Sequence, residues 1–271
     1  MGVRRARASF ITRISTLTSP IRNRTAGCHS FPNDQRIGTE IVNAKHSIHQ
    51  YASELIGTFF LVFFGCGSVI VAQLDSGALG GVSIPLVFGG VVMTMIYATG
   101  HVSGAHMNPA VTVAFALLKE FPVARVPGYI IAQSLGAILA SLAHLLFWGS
   151  EGHTFGVTGF SAGWITGAAV EFLLSFVLMF VIVAVATDSR AEGQMAGLAI
   201  GATVSLCAFV GGPLTGASMN PARSLGPAVV AGEMSQLILY IFVPVLGTIA
   251  GGITYRWMKC ESPEPGEHGC C

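Results

Sequence analysis

The sequence predicts an all-α membrane protein with six transmembrane helices and two re-entrant half-helices, arranged as an inverted repeat. Three observations lead there. Of 271 residues, 52% are hydrophobic and only 10% charged, against roughly a quarter charged in a soluble domain. Six apolar stretches can cross a hydrocarbon core of about 30 Å, which takes roughly 20 helical residues. Between them lie two copies of one polar motif, "GAHMNPAVTV" from Gly104 and "GASMNPARSL" from Gly216.

The spans are predicted at about 51–73, 82–99, 124–148, 165–187, 195–213 and 235–256. A soluble helical protein would need polar faces on these segments, and "FLLSFVLMFVIVAVA" from Phe172 has none. The 34 glycines suit close helix packing in a bilayer. A net charge of +1 excludes the basic field of a nucleic-acid binder.

Lys and Arg set the orientation. Eight precede the first span. Lys119, Arg125, Arg190, Arg256 and Lys259 fall on the same side when six spans are drawn with both ends together. The connections at 74–81, 149–164 and 214–234 hold only Arg223. Both termini are therefore expected to be cytoplasmic.

Residues 1–50 read as a disordered basic tail that reinforces this topology, although an Arg- and Ser-rich transit peptide shares the composition. Ala6 stands where a myristoylation signal requires Ser or Thr. The membrane domain is expected at 51–256, followed by a short tail at 257–271. The six cysteines form no disulfide framework. Cys270–Cys271 reads as a flexible end, with lipidation or a soft metal as alternatives.

The second half repeats the first. "ELIGTFFLVF" from Glu54 matches "EFLLSFVLMF" from Glu171, and the two Asn-Pro-Ala copies match in the same order. Each half, about 51–148 and 165–256, holds three spans with one Asn-Pro-Ala loop between its second and third. Three is odd, so the halves enter the membrane in opposite senses, which places a functional site near the midplane between them.

In each loop Asn can cap a helix and Pro suits its first turn, where the missing N–H is no loss. Asn108-Pro109-Ala110 and Asn220-Pro221-Ala222 therefore open half-helices. About ten helical residues rise roughly 15 Å, half the core. One loop enters from each side, so the two Asn-Pro turns are expected to meet at the centre. Non-helical backbone at that depth must be buried or line a water-filled cavity. Arg223, three residues past Asn220, lies on the same helix face and reads as a pore-lining cation; Val111 holds the equivalent place in the first half. Glu54 and Glu171, carboxylates inside spans, are functional candidates by default, and a proton relay is one reading of them.

These paired motifs, Arg223 and the matched glutamates closely resemble the aquaporin superfamily of major intrinsic proteins, over roughly residues 50–256. "VATDSRAEGQMAGLAIGATV" and "GGPLTGASMNPARSLGPAVV" look most like its nodulin-like intrinsic protein subfamily. The resemblance implies an aquaporin-like bundle with one pore per subunit, a homotetramer, no enzymatic activity and no cofactor. It implies that Asn108 and Asn220 offer N–H donors to a permeant oxygen, and that Glu54 and Glu171 accept hydrogen bonds from the dipping loops.

By spacing from the two asparagines, the family's selectivity filter falls on Phe88, Ala208, Ala217 and Arg223. Water-selective members carry His where this chain has Ala208. The two alanines imply a wider, less polar constriction that passes water and compact neutral solutes: glycerol, urea, ammonia, boric acid and arsenous acid. Its partners are thus water, such solutes and the lipid bilayer, with no nucleic acid, and the plasma membrane is the expected location. His101 is expected at the cytoplasmic mouth. His101 and His106 are five apart and make no helical metal pair.

Three rival readings fare worse. A strict water channel would want His at position 208. A secondary transporter needs an ion-coupling site, and no Asp lies within a predicted span. A cation channel is opposed by Arg223 and by the lack of an acidic ring.

Overall fold

Hydropathy and helix signals agree with the backbone along most of the chain. The computed structural model describes residues 32–75, 81–161, 163–188, 191 and 193–259, with side chains from Ser47 onward. The expectations for residues 1–31 and for the Cys270–Cys271 end lie outside the described residues. The chain divides into two units, Met1–Val42 and Asn43–Cys271, and the features below, apart from the start of α1, belong to the second.

The described residues form eight α-helices in order: α1 (Pro32–Leu74), α2 (Ser83–Ser103), α3 (Pro109–Leu117), α4 (Val126–Trp148), α5 (Trp164–Thr187), α6 (Ala196–Thr215), α7 (Pro221–Ala231) and α8 (Leu237–Met258). Among the described residues, six helical stretches are long and apolar enough to cross a membrane, at Ser47–Leu74, Ser83–Ser103, Val123–Trp148, Trp164–Thr187, Gly193–Thr215 and Leu237–Met258. The described residues contain no strand. α1 begins at Pro32, well before the expected start at 51. No proline interrupts the chain between Pro32 and Pro85, so nothing local stops the helix from extending back from the span.

The short helices α3 and α7 follow from their caps. The Asn108 side chain accepts from the Ala110 N–H, and that of Asn220 from the N–H groups of Ala222 and Arg223. Proline sits in the first turn of each. At 1.5 Å per residue their nine and eleven residues span about 13 and 16 Å, half a hydrocarbon core. Upstream, α2 and α6 end on left-handed Gly104 and Gly216, each returning its N–H to a carbonyl four residues back.

The repeat recurs in the packing. A Cβ on Gly136 would lie 2.3 Å from the Leu55 carbonyl oxygen, and one on Gly247 would lie 2.4 Å from that of Phe172. α1 and α4 therefore approach each other as α5 and α8 do. Gly251 makes a second such approach, to the Phe176 carbonyl. α2 crosses α6 through Gly89 and Gly201, which face each other's carbonyls. Each half-helix lies chiefly against the last span of the opposite half, α7 on α4 and α3 on α8. Pro244 sits inside α8, and the helix continues through it. His144 is buried, with Nε2 on the Phe63 carbonyl and its ring stacked on Phe63.

Glycine at these crossings replaces side-chain packing with backbone approach, the means by which apolar helices associate in lipid. At Gly201 a methyl group would stand 2.6 Å from the Gly89 oxygen and must push the helices apart. Gly201→Ala is expected to cost about 1–3 kcal/mol. Thermal unfolding in detergent should show a lower midpoint, and an unchanged midpoint would mean that the α2–α6 crossing tolerates separation.

Candidate functional site

The two Asn-Pro turns meet. Asn108 donates from Nδ2 to the Met219 carbonyl at 2.8 Å, and Asn220 donates from Nδ2 to the Met107 carbonyl at 2.8 Å. The N-termini of α3 and α7 therefore face each other across a short gap. Each terminus carries roughly half a positive charge. A carboxamide nitrogen bears two N–H groups, so each asparagine spends one on the opposite loop and keeps one for another acceptor.

Both loops are strained in the same way. Ala105 and Met107 have φ of 48°, and Ala217 and Met219 have φ of 44° and 52°. Non-glycine residues in this region cost of order 1–3 kcal/mol each unless the surroundings hold them. The glutamates do the holding. Glu54 accepts from the N–H groups of His106 (2.9 Å) and Met107 (2.7 Å), from Ser103 Oγ (2.7 Å) and from Gln133 Nε2 (2.8 Å). Glu171 accepts from the N–H groups of Ser218 and Met219, both at 2.8 Å, and from Thr215 Oγ1 at 2.6 Å. Both carboxylates are fully buried, and neither borders the cavity described next.

That cavity holds about 130 Å³ and runs past the meeting point. Asn108 and Asn220 line it, as do Phe88, Ala208, Ala217 and Arg223. Much of the remaining wall is aliphatic, including Val92, Ile96, Ile182, Ile200 and Val204, and no acidic side chain lines it among the described residues. Arg223 is 3% exposed. It donates from Nη1 to the Gly156 carbonyl at 2.7 Å, and its guanidinium carbon lies 5.1 Å from the centroid of the Phe88 ring. Its buried Nε has no acceptor among the described residues. Arg223 thus presents a cation and a spare donor in a narrow apolar space. Val111 lines the cavity at the equivalent place in the first half and offers neither.

His101 is exposed on the last turn of α2 and is not among the lining residues. Phe88, Val92 and Ile96 follow the i, i+4 stripe that faces the cavity, and His101 falls well round the helix from it. His106 borders the cavity instead, with Nδ1 hydrogen-bonded to Thr112 Oγ1 at 3.1 Å.

Several supporting residues carried no local signal. Tyr129 donates to the Ser103 carbonyl at 2.7 Å, and Tyr240 to the Thr215 carbonyl at 2.5 Å. Gln133 bridges Glu54 and Thr112, while Pro244 holds the matching place after Tyr240 and can donate nothing. A longer reading of the repeat would have found Ser103 and Thr215, since a hydroxyl residue precedes Gly-Ala in both copies. The Gly156 carbonyl is backbone and has no side-chain signature.

Two opposed half-helix dipoles, paired asparagines and one buried arginine around a cavity inside an apolar bundle define a membrane channel. The model of the Major intrinsic protein family matches residues 41–255. The chain belongs to that family. It is 50% identical to a probable aquaporin, NIP4-2 of Arabidopsis thaliana, over 76% of this chain and 73% of that protein. It is 46% identical to Nodulin-26 of Glycine max, over 78% of each. A solved structure of the aquaglyceroporin from Plasmodium falciparum shares the fold, with a TM-score of 0.65 at 24% identity, covering 78% of this chain and 95% of that one.

Proposed function

We propose that this channel passes water and small neutral solutes, namely glycerol, urea, ammonia, boric acid and arsenous acid, and excludes protons and ions. One observation carries the reading. Beside Arg223 and Phe88 the cavity wall is completed by the methyl groups of Ala208 and Ala217, where a water-only filter needs bulk. Arg223 and the facing helix N-termini repel cations, and the aliphatic wall penalises any ion that has shed its water. A neutral solute with hydroxyl or amide groups can accept from Arg223 and from the free asparagine N–H groups while its carbon face meets Phe88.

In this reading both termini are cytoplasmic, the membrane is the plasma membrane and the assembly is a homotetramer. The distribution of Lys and Arg supports the orientation. Residues 51–256 form the channel domain, with tails at 1–50 and 257–271.

Ala208→His is the direct test. The imidazole should fill the open wall, suppressing glycerol and urea by about tenfold while water falls less, since a small steric change in a pocket discriminates by roughly 10–200-fold. Stopped-flow light scattering of proteoliposomes reads both. Equal losses of water and solute, or no loss, would remove Ala208 from the filter.

A further inference from the structure

We propose that Gly65, on α1 and outside the cavity lining, sets the width of the outer constriction by seating the Phe88 ring. The proposal rests on the neutral-solute reading above. Among the described residues of α1, Leu61 alone lines the cavity. The helix's effect on the filter is indirect and comes through a notch in its surface.

A Cβ built on Gly65 would lie 2.3 Å from Phe88 Cε1, 2.6 Å from Cδ1 and 2.7 Å from Cζ. The edge of the ring therefore rests directly over the Gly65 Cα. No side chain, not even a methyl group, fits beneath it. A face of the ring meets the guanidinium of Arg223, whose carbon lies 5.1 Å from the centroid. Phe88 thus rests with its edge on a bare stretch of α1 and one face under the filter cation, seated as close to α1 as a missing methyl group allows.

The next residue braces the other side of the same filter. A Cβ on Gly156 would stand 2.9 Å from Cys66 Cβ, and the Gly156 carbonyl is the acceptor that fixes Arg223 Nη1. Consecutive α1 residues thus back both large members of the constriction. A methyl group at Gly65 cannot be absorbed by α1, whose own backbone is rigid helix, so the aromatic ring must give. Its displacement runs away from α1, into the cavity that the ring lines. The width available to solute then falls although no lining residue has changed. Gly65 is in this sense a positioning residue for selectivity.

The test is a mutant cycle in proteoliposomes, reading water, glycerol and urea permeability per folded channel. Gly65→Ala is expected to lower glycerol permeability about tenfold more than water, the discrimination typical of one methylene in a tight site. In a Phe88→Ala background the same substitution should change the ratio less than about twofold, because the displaced ring is gone. Gly67→Ala is the control on the same helix. Its Cβ would meet His144 alone, with Nε2 at 3.4 Å and Cδ2 at 4.0 Å, ordinary contacts, so the glycerol-to-water ratio should stay at the parent value.

An unchanged ratio in Gly65→Ala, or an equal fall with and without Phe88, overturns the proposal. If Gly65→Ala does not assemble, Phe88→Ala must restore monodisperse protein; failure to do so overturns it as well. Should the parent channel pass water but neither glycerol nor urea, the neutral-solute reading fails by itself. The cycle still decides the role of Gly65 through water permeability, which Gly65→Ala must then lower and Phe88→Ala must uncouple.

Discussion

Glu171→Gln is expected to abolish channel activity by unmaking the loop around Asn220. The carboxylate accepts three hydrogen bonds through two oxygens, from Thr215, Ser218 and Met219. A carboxamide has one oxygen, and its NH₂ must then face an N–H or a hydroxyl that needs an acceptor. At least one buried donor is left unpaired, and the remaining bonds lose their ionic assistance. Each orphaned group costs about 1–3 kcal/mol, and a bond to a charged group is worth about 1.5–3 kcal/mol, so the loss is roughly 2–5 kcal/mol. The strain at Ala217 and Met219 adds to it, because the carboxylate holds those residues at positive φ.

Size-exclusion behaviour, thermal unfolding and water flux per folded molecule together check this outcome. A proton relay would behave differently. Glutamine at a relay carboxylate would leave a folded, water-permeable protein whose transport had lost only its dependence on a proton gradient. That second result would sink the supporting role.

Arg223→Val carries the other large effect, and it copies onto the second half what Val111 already is in the first. Removing the cation lifts a repulsion of about 4 kcal/mol for a monovalent cation at 4 Å with an effective dielectric near 20. By the usual conversion that is nearly a thousandfold in cation occupancy. The variant should therefore leak protons or small cations, measurable with a pH-sensitive dye in proteoliposomes, and glycerol flux should rise as the constriction widens. The two helix N-termini and the asparagines remain, so the leak stays far below that of a true cation channel. Arg223→Lys keeps the charge and should stay ion-tight, while losing the planar donor that reaches Gly156. A Val variant as ion-tight as the parent would show that the midplane dipoles alone exclude cations.

The fold was legible in the chain because its signals are local or periodic. All six spans were found to within about four residues of the helices long enough to cross a membrane. A continuous run of apolar residues needs no partner to declare itself. The half-helices were legible for the same reason, since a capping asparagine and an N1 proline are properties of neighbouring residues. Even the meeting of the two turns followed from the odd number of spans in each half.

The site was legible only in part. Phe88, Ala208, Ala217 and Arg223 were reached through the family resemblance, and all four line one cavity with the two asparagines. His101 does not line that cavity. It shares a short stretch of sequence with His106, but it sits exposed on the last turn of α2, whereas His106 lies beyond the end of that helix in the loop that dips to the cavity. Gln133, Tyr129 and Tyr240 lie on distant spans, and nothing beside them in the chain names the carboxylate or carbonyl they serve.

By itself, the sequence determined six spans, their inverted duplication, two capped half-helices and a single cation at one of two equivalent places. Each of these is written in contiguous residues, in their hydropathy, spacing or capping chemistry. Only the tertiary structure decided which carbonyls the asparagines and Arg223 would use, how completely the glutamates would be occupied and where the Phe88 ring would rest. Those outcomes depend on backbone oxygens, and on glycines whose contribution is an absent side chain. A backbone oxygen is the same at every residue, and a missing Cβ acquires a meaning only once another helix has been packed against it.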